Sequence, residues 1–343
     1  MTKKNASNTV TINDVARRAG VGKVTVSRLL NSPSTVAPAT REAIRRAIEE
    51  LGYLPSSAAR ALASKRSHLI GAVVPTLDNP IFANCLDGLQ KEVAAAGSTL
   101  LLATSNYDGV REAEAARILI ERGAEAIMLV GAARDPALYA LLDQQGVPYC
   151  LTWTADPDID ASWVGFDNAA ASTSVIRYLF ELGHRRFGAI AGVTAGNDRA
   201  FARLQALVDF TAAHGCTLAV SEQRYTVDRG AVGLSEILAD QPTAIICAND
   251  ILAIGAMAEA QRLGFRVPDD ISIAGFDDME IAACMNPPLT TVRVNASEIG
   301  RAAAQALLGQ IGGESRSMKL VETNLIVRAS SAAPRSLPDT TLA

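Results

Sequence analysis

The run Thr11-Ile-Asn-Asp-Val-Ala-Arg-Arg-Ala-Gly-Val-Gly-Lys-Val-Thr-Val-Ser-Arg-Leu-Leu-Asn31 organises the start of the chain. Ile12, Val15, Ala16 and Ala19 recur at helical spacing, which predicts a helix opening at Ile12 with one apolar stripe. Thr11 stands where a cap belongs, and Asp14 falls in the first turn, beside the positive end of the helix dipole. Gly20 ends that helix. A second runs from about Lys23 to Leu30, with Val26, Leu29 and Leu30 on its apolar face and Lys23, Thr25, Ser27 and Arg28 on the other. Pro38 suits the first turn of a third helix, whose Ile44, Ala47, Ile48 and Leu51 form an i, i+3, i+4, i+7 stripe closed by Gly52. Three short helices with a tight turn between the first two make a helix-turn-helix unit.

Charge marks the same stretch. The net charge over 343 residues is −4. Residues 1–66 hold twelve Lys and Arg against four Asp and Glu, a local +8, so the remaining 277 residues carry −12. A basic head on an acidic body fits a polyanion-binding module joined to something that avoids nucleic acid, although a solvated basic face would have the same charge.

Other classes are excluded by composition. Hydrophobic residues make up 49% and charged residues 20%, enough apolar surface for a sizeable core and against global disorder. No apolar run reaches the roughly 18–20 residues that span a bilayer, and Met1 to Val10 has no apolar core of a secretory signal, so a cytoplasmic protein without a membrane partner is expected. The five cysteines (Cys85, Cys150, Cys216, Cys247, Cys284) contain no C-x-x-C pair. His68, His184 and His214 are out of helical reach of one another. Neither a disulfide framework nor a metal site is expected, and no cofactor.

The segment from Thr11 to Asn31 resembles the N-terminal signature of the lactose-repressor (LacI/GalR) family of bacterial transcription regulators. The resemblance implies that the second helix enters the major groove, with Lys23, Val24 and Arg28 reaching base edges and Thr11, Thr25, Ser27 and Asn31 joining the DNA contacts. Two positions depart from the family pattern. Gly22 replaces a polar cap, and Val24 cannot donate to a base, so it would read only a thymine methyl or shape. Residues Tyr53 to Ala63 have high helix propensity, but an isolated helix of that length is marginal in water. By composition they could be a linker; the resemblance makes them a hinge helix that contacts DNA through Ser56, Ala59 and a minor-groove wedge, Leu62.

From Leu69 onward short β-rich runs alternate with amphipathic helices. Leu69–Val74, Thr99–Ala103 and Ala126–Val130 open the series, and a fresh one is expected to start at Trp163–Phe166 and pass through Phe187–Ala191, Ala244–Cys247 and Ile271–Phe276. Such alternation predicts an α/β fold, with doubly wound parallel sheets in two lobes. No GxGxxG follows the first strand and no GxxxxGK[ST] occurs, so nucleotide-cofactor sites lack support. Asn and Asp cluster where strands should end, as ligand-binding groups or as ordinary turn and cap residues.

Cys247-Ala-Asn-Asp250, Ala274-Gly-Phe-Asp-Asp278 and Pro287-Pro-Leu-Thr-Thr291 resemble the periplasmic-binding-protein-like sensor domain of the same family. Carried over by position, the effector contacts would be Arg203, Asn249 and Asp277, with Phe166 as a ring against the ligand face and Asn79, Phe82, Trp153 and Asp198 as further pocket residues. Arg203 begins Arg-Leu-Gln-Ala-Leu207, where Ala206 and Leu207 replace the more usual Gly and aromatic residue. A guanidinium with carboxylate and amide acceptors suits a sugar, a sugar acid or a related metabolite. The expected organisation is a DNA-binding domain at 1–52, a hinge and linker at 53–67, an effector and dimerisation domain at 68–330 with lobe crossings near 166 and 294, and a flexible tail at 331–343.

A homodimer on a pseudo-palindromic operator is the implied assembly. A sugar-modifying enzyme on the same scaffold is the alternative. Adjacent Asp277 and Asp278 on an emerging strand point apart, however, and no nucleophile elbow or metal cluster supports catalysis. A solute-binding transport protein is disfavoured by the basic head.

Overall fold

The structure, a computed structural model, describes residues 10–31, 33–54 and 66–335. It divides into two compact units, Met1–His68 and Leu69–Ala343. The first holds helices α1 (Ile12–Ala19), α2 (Lys23–Asn31) and α3 (Pro38–Leu51).

Local chemistry sets the ends of these helices. The Asp14 carboxylate accepts from the Thr11 backbone N–H at 3.0 Å and from its hydroxyl at 2.7 Å, which is the Asp14 half of a capping box with Thr11. Gly20, at φ 69°, turns the chain into a left-handed cap, and the Val21 N–H reaches the Ala16 carbonyl. At the start of α2 the Gly22 carbonyl accepts from Thr25 and Val26. Val15, Ala16, Val26, Leu29, Ile44 and Ala47 are buried together, joined by Val36 from the turn before α3. Arg18 of α1 meets Glu50 of α3 at 2.5 Å, an exposed pair that adds at most about 1 kcal/mol. The apolar core does most of the work.

The second unit runs β1 (Leu69–Val74), α4 (Pro80–Ala95), β2 (Thr99–Thr104), α5 (Gly109–Glu121), β3 (Ala124–Val130), α6 (Pro136–Gln145), β4 (Tyr149–Thr152) and β5 (Ser162–Gly165). It continues with α7 (Asn168–Glu181), β6 (Arg186–Gly192), α8 (Asp198–Ala213), β7 (Thr217–Gln223), α9 (Val227–Ile237), β8 (Ala244–Cys247), α10 (Asp250–Arg262) and β9 (Ser272–Asp277). Then come α11 (Glu280–Cys284), β10 (Thr290–Val294), α12 (Ala296–Ile311), β11 (Met318–Leu320) and β12 (Thr323–Ile326).

These strands form two sheets, ordered β11-β5-β4-β3-β1-β2 and β12-β10-β9-β8-β6-β7. Every pairing is parallel except β10 with β12. Central strands such as β1 and β3 are buried almost throughout, as expected of a parallel sheet covered by helices on both faces, whereas edge strand β2 alternates partly exposed residues. In the first lobe α4 and α12 approach closely because Gly88 and Gly300 have no side chain. A Cβ on either would overlap backbone of the facing helix, Ser297 or Cys85.

Three features differ from the sequence expectation. The strand expected to begin the second series at Trp163–Phe166 is β5 and lies in the first sheet, parallel to β4. The chain passes between sheets three times, after β5, after β10 and at Val321–Glu322 between β11 and β12, where only the first two were expected. The tail expected to start at 331 is anchored through Arg335. Ser331 bonds Thr290, the Ala332 carbonyl accepts from His184 and Ser272, and Arg335 pairs with Asp269 and Asp270. Backbone pairing and these side-chain anchors, invisible to hydropathy, hold that segment to the body.

Candidate functional site

In the head, α2 buries Val26 and Leu29 and turns Lys23, Val24 and Arg28 outward, all exposed, Val24 to 69%. Arg17 and Arg18 have carboxylate partners in Asp14 and Glu50, while Lys23 and Arg28 have none among the described residues. Thr25 and Ser27 are half-buried, Thr11 is exposed beside the α1 cap, and Asn31 is the last residue of α2. A helix presenting unpaired cations and one apolar side chain, held on a small packed base, has the form of a groove-reading helix. Ser56, Ala59 and Leu62 lie outside the described residues.

The second site is a cleft in the Leu69–Ala343 unit with about 370 Å³ of empty space, lined by Asn79, Ile81, Phe82, Tyr107, Trp153, Arg199, Arg203, Tyr225, Asn249 and Asp277. Every one of these residues lies at or beyond the carboxyl end of a strand: β1, β2 and β4 in the first lobe, β6, β7, β8 and β9 in the second. Open α/β sheets bind ligands in this position, because the strand ends open into loops and helix N-termini there.

Backbone geometry fixes the aromatic wall. Trp153 adopts φ 60°, its N–H donates to the Val164 carbonyl, and its own carbonyl accepts from the Asn168 amide at 2.8 Å. The ring so placed meets Phe82 edge-on at 5.2 Å. Across the cleft the Tyr107 and Tyr225 rings lie 5.3 Å apart, one from each lobe.

The polar groups are held as firmly. Arg203 donates to the Asn168 side chain and the Ala248 carbonyl, both at 2.9 Å, and its guanidinium lies 3.8 Å from the centre of the Phe276 ring. Asn79 and Asn249 cap α4 and α10, their oxygens accepting from the N–H groups of Ile81 and Leu252. The Asn249 Nδ2 group is buried and has no hydrogen-bond partner among the described residues. Asp277, at φ 111°, sits in strained backbone, and burial pushes its carboxyl up to about 8, against the opposing pull of Arg203. Its neighbour Asp278 turns away to Arg293 and Arg328 at 2.6 and 2.7 Å. The two acids therefore share no reacting centre.

Of the residues expected to contact an effector, Asn79, Phe82, Trp153, Arg203, Asn249 and Asp277 line this cleft. Phe166 does not. It is 1% exposed and lies behind Arg203, stacked on Phe276 with ring centres 6.0 Å apart. Asp198 is also off the cleft wall; its carboxylate accepts from the Ala132 N–H at 2.9 Å, bridging the lobes, and from Arg199 at 3.3 Å. Ile81, Tyr107, Arg199 and Tyr225 were missed. Arg199 stands one helical turn before Arg203, a spacing that the sequence displays.

Two family models match the chain: bacterial regulatory proteins, lacI family, over residues 11–56, and a periplasmic binding protein-like domain over residues 176–331. The HTH-type transcriptional repressor CytR of Escherichia coli (strain K12) is 32% identical, covering 97% of this chain and 99% of its own length. The HTH-type transcriptional regulator CelR of Thermobifida fusca is 34% identical over 93% of this chain and 98% of its own. A solved Lac repressor dimer bound to operator and an anti-inducer superposes with a TM-score of 0.84 at 27% identity, over 94% of this chain and 99% of that one. With a helix-turn-helix head, a two-lobed sensor and no paired catalytic groups in its cleft, this chain belongs to the LacI family of bacterial regulatory proteins, DNA-binding transcription regulators and not enzymes.

Proposed function

We propose that this regulator is a repressor of genes for the uptake or breakdown of a small hydroxylated metabolite, a sugar, a sugar acid or a relative of one. Residues 1–52 bind a pseudo-palindromic operator, 53–67 form the hinge, and the body from 68 binds the effector and pairs with a second copy. It acts in the cytoplasm, where its operator is. The observation that carries this reading is the cleft itself, to which seven strand ends of both lobes contribute aromatic, guanidinium, amide and carboxyl groups. A ligand that touches both lobes stabilises their closed arrangement by its differential affinity for it, and so biases whatever the lobes are coupled to. The solved CelR structure is a cellobiose complex, which supports a sugar-like effector.

Selection from a random DNA library with the full chain, followed by gel shifts, tests the proposal. The selected site should be pseudo-palindromic, and a small molecule that raises the melting temperature should change the affinity for it. A stabilising ligand that leaves operator affinity unchanged would sink the proposal.

A further inference from the structure

The polar lining of the cleft is strongly biased towards donors. Both asparagines already use their oxygens on helix N–H groups, at Ile81 and Leu252, so their amide N–H groups are the freer side for a ligand. The Asn249 Nδ2 group, on a residue 2% exposed, has no partner among the described residues. Arg203 is committed through Nε and Nη1, which leaves Nη2. Arg199 has one long contact, 3.3 Å, to an Asp198 carboxylate that also accepts from Ala132. The Tyr225 hydroxyl already bonds Asn197.

Against these donors stands one acidic group, Asp277, and Asn79 already donates to it. Its carboxyl is pushed up to about 8 by burial, so near neutral pH it is mostly protonated and presents a further O–H donor. A neutral sugar hydroxyl both donates and accepts, and it would find few acceptors here. A carboxylate or phosphate only accepts. It would satisfy the buried amide and bring a counter-charge to Arg203, and to Arg199 in addition to its one long pairing with Asp198.

We propose that the effector is an anion: a hydroxylated molecule bearing a carboxylate or phosphate group that is received by Arg199, Arg203 and the Asn249 amide. The proposal rests on the reading that this cleft is the effector site, and the test separates the two.

Matched probes in the glucose, galactose and mannose series (the neutral hexose, its uronic and aldonic acids, and its 6-phosphate) are titrated into the full chain by calorimetry. Melting shifts with acetate and inorganic phosphate are measured against chloride at equal ionic strength. The anionic members should bind at least about tenfold tighter than their neutral parents, the factor that one hydrogen bond to a charged group supplies. Whether the acids or the phosphates lead identifies the source of the anion.

Asn249→Asp keeps the oxygen that caps α10 but replaces the free donor by an acceptor, so it should remove that preference; Arg199→Gln should reduce it without touching a cap. A neutral hexose that binds as tightly as its acid, and is weakened by these substitutions, overturns the anion and keeps the cleft. Binding indifferent to both substitutions overturns the cleft as well. Absence of any gain from either small anion over chloride, with no preference among the sugars, also overturns the proposal.

Discussion

The recognition surface of the head and the cleft of the body solve the same problem, presentation of polar groups to a ligand, in opposite ways. Lys23, Val24 and Arg28 lie within six residues on one helix and stand exposed, so the ligand must bring its own complementary surface. The cleft residues run from Asn79 to Asp277 and are drawn together by two sheets, mostly buried, with their rotamers fixed by partners such as Asn168 and the α10 cap. An exposed surface can change its side chains at little cost in stability. A buried cleft cannot, because each polar group there is held by, or waits for, a specific partner. Operator preference should therefore be easy to alter by single substitutions, and effector preference hard.

The largest expected effect breaks the head at its base. Ile44 is fully buried in a core of seven buried apolar residues. Ile44→Ala should destabilise the head by about 2–5 kcal/mol through lost burial and the cavity left behind. Denaturation followed by separate probes in the two units should show the head transition moving and the body transition staying. A body transition that moves equally would mean the two units melt as one.

Next in size is Arg28→Ala. The side chain is exposed and lacks a carboxylate partner, so its removal should leave the melting temperature unchanged. The preference for operator over random DNA should fall by about 1–3 kcal/mol per half-site, the value of a base contact. Retention of the wild-type preference would remove α2 from the role of reading helix.

A third prediction concerns the cleft and pH. An Asp in an unfolded chain titrates near ~3.9, whereas Asp277 in the fold is pushed up to about 8, and Asp250, which faces it, to about 7. The folded protein thus holds protons that the unfolded chain has released. The resulting stabilisation is complete below the unfolded value and is lost as pH rises through the folded values. Arg203, Arg199, Tyr107 and Tyr225 surround the same cleft, so the test is a difference. The melting temperature of the ligand-free chain should fall between pH 5 and pH 9, and Asp277→Asn should flatten that fall while leaving the part due to Asp250. An identical pH profile in the variant would show that Asp277 is not held protonated.

Contiguity also decided what the sequence could show. The head was legible because its helical stripes, capping residues and reading face recur at 3.6-residue spacing within one short run. In the body, strand ends could be found from β-rich runs, but the Asn and Asp residues there fitted caps as well as ligand groups, and only the resemblance to the sensor domain singled out Asn79, Asn249 and Asp277. Tyr225 was hidden because it follows β7, an edge strand of half-exposed residues without a clear apolar run. Tyr107 follows β2 inside a Ser-Asn-Tyr-Asp turn, where a turn explains the composition as well as a site does. Phe166 lies one layer behind the wall of this cleft. Its position after β5 is at a strand end, but the stacking on Phe276 that takes it off the cleft wall belongs to packing between distant segments.

The smallest expected effect tests the exposed side of the comparison most finely. Val24 is the second residue of α2 and 69% exposed, with no apolar neighbour in the head core to explain a β-branched side chain there. Its hydrocarbon can gain only from an apolar group on the DNA, and in the major groove that group is the thymine C5-methyl. Burying one methyl group is worth about 0.8 kcal/mol, a factor of roughly four in affinity. Once an operator has been selected, each thymine of a half-site can be replaced by deoxyuridine, which removes that methyl and preserves every hydrogen bond. One replacement in a single half-site should weaken binding of the natural chain by about that factor, and Val24→Ser should be indifferent to it. If no thymine in the half-site responds, Val24 reads shape or nothing, and the ease with which this surface changes specificity must come from Lys23 and Arg28 alone.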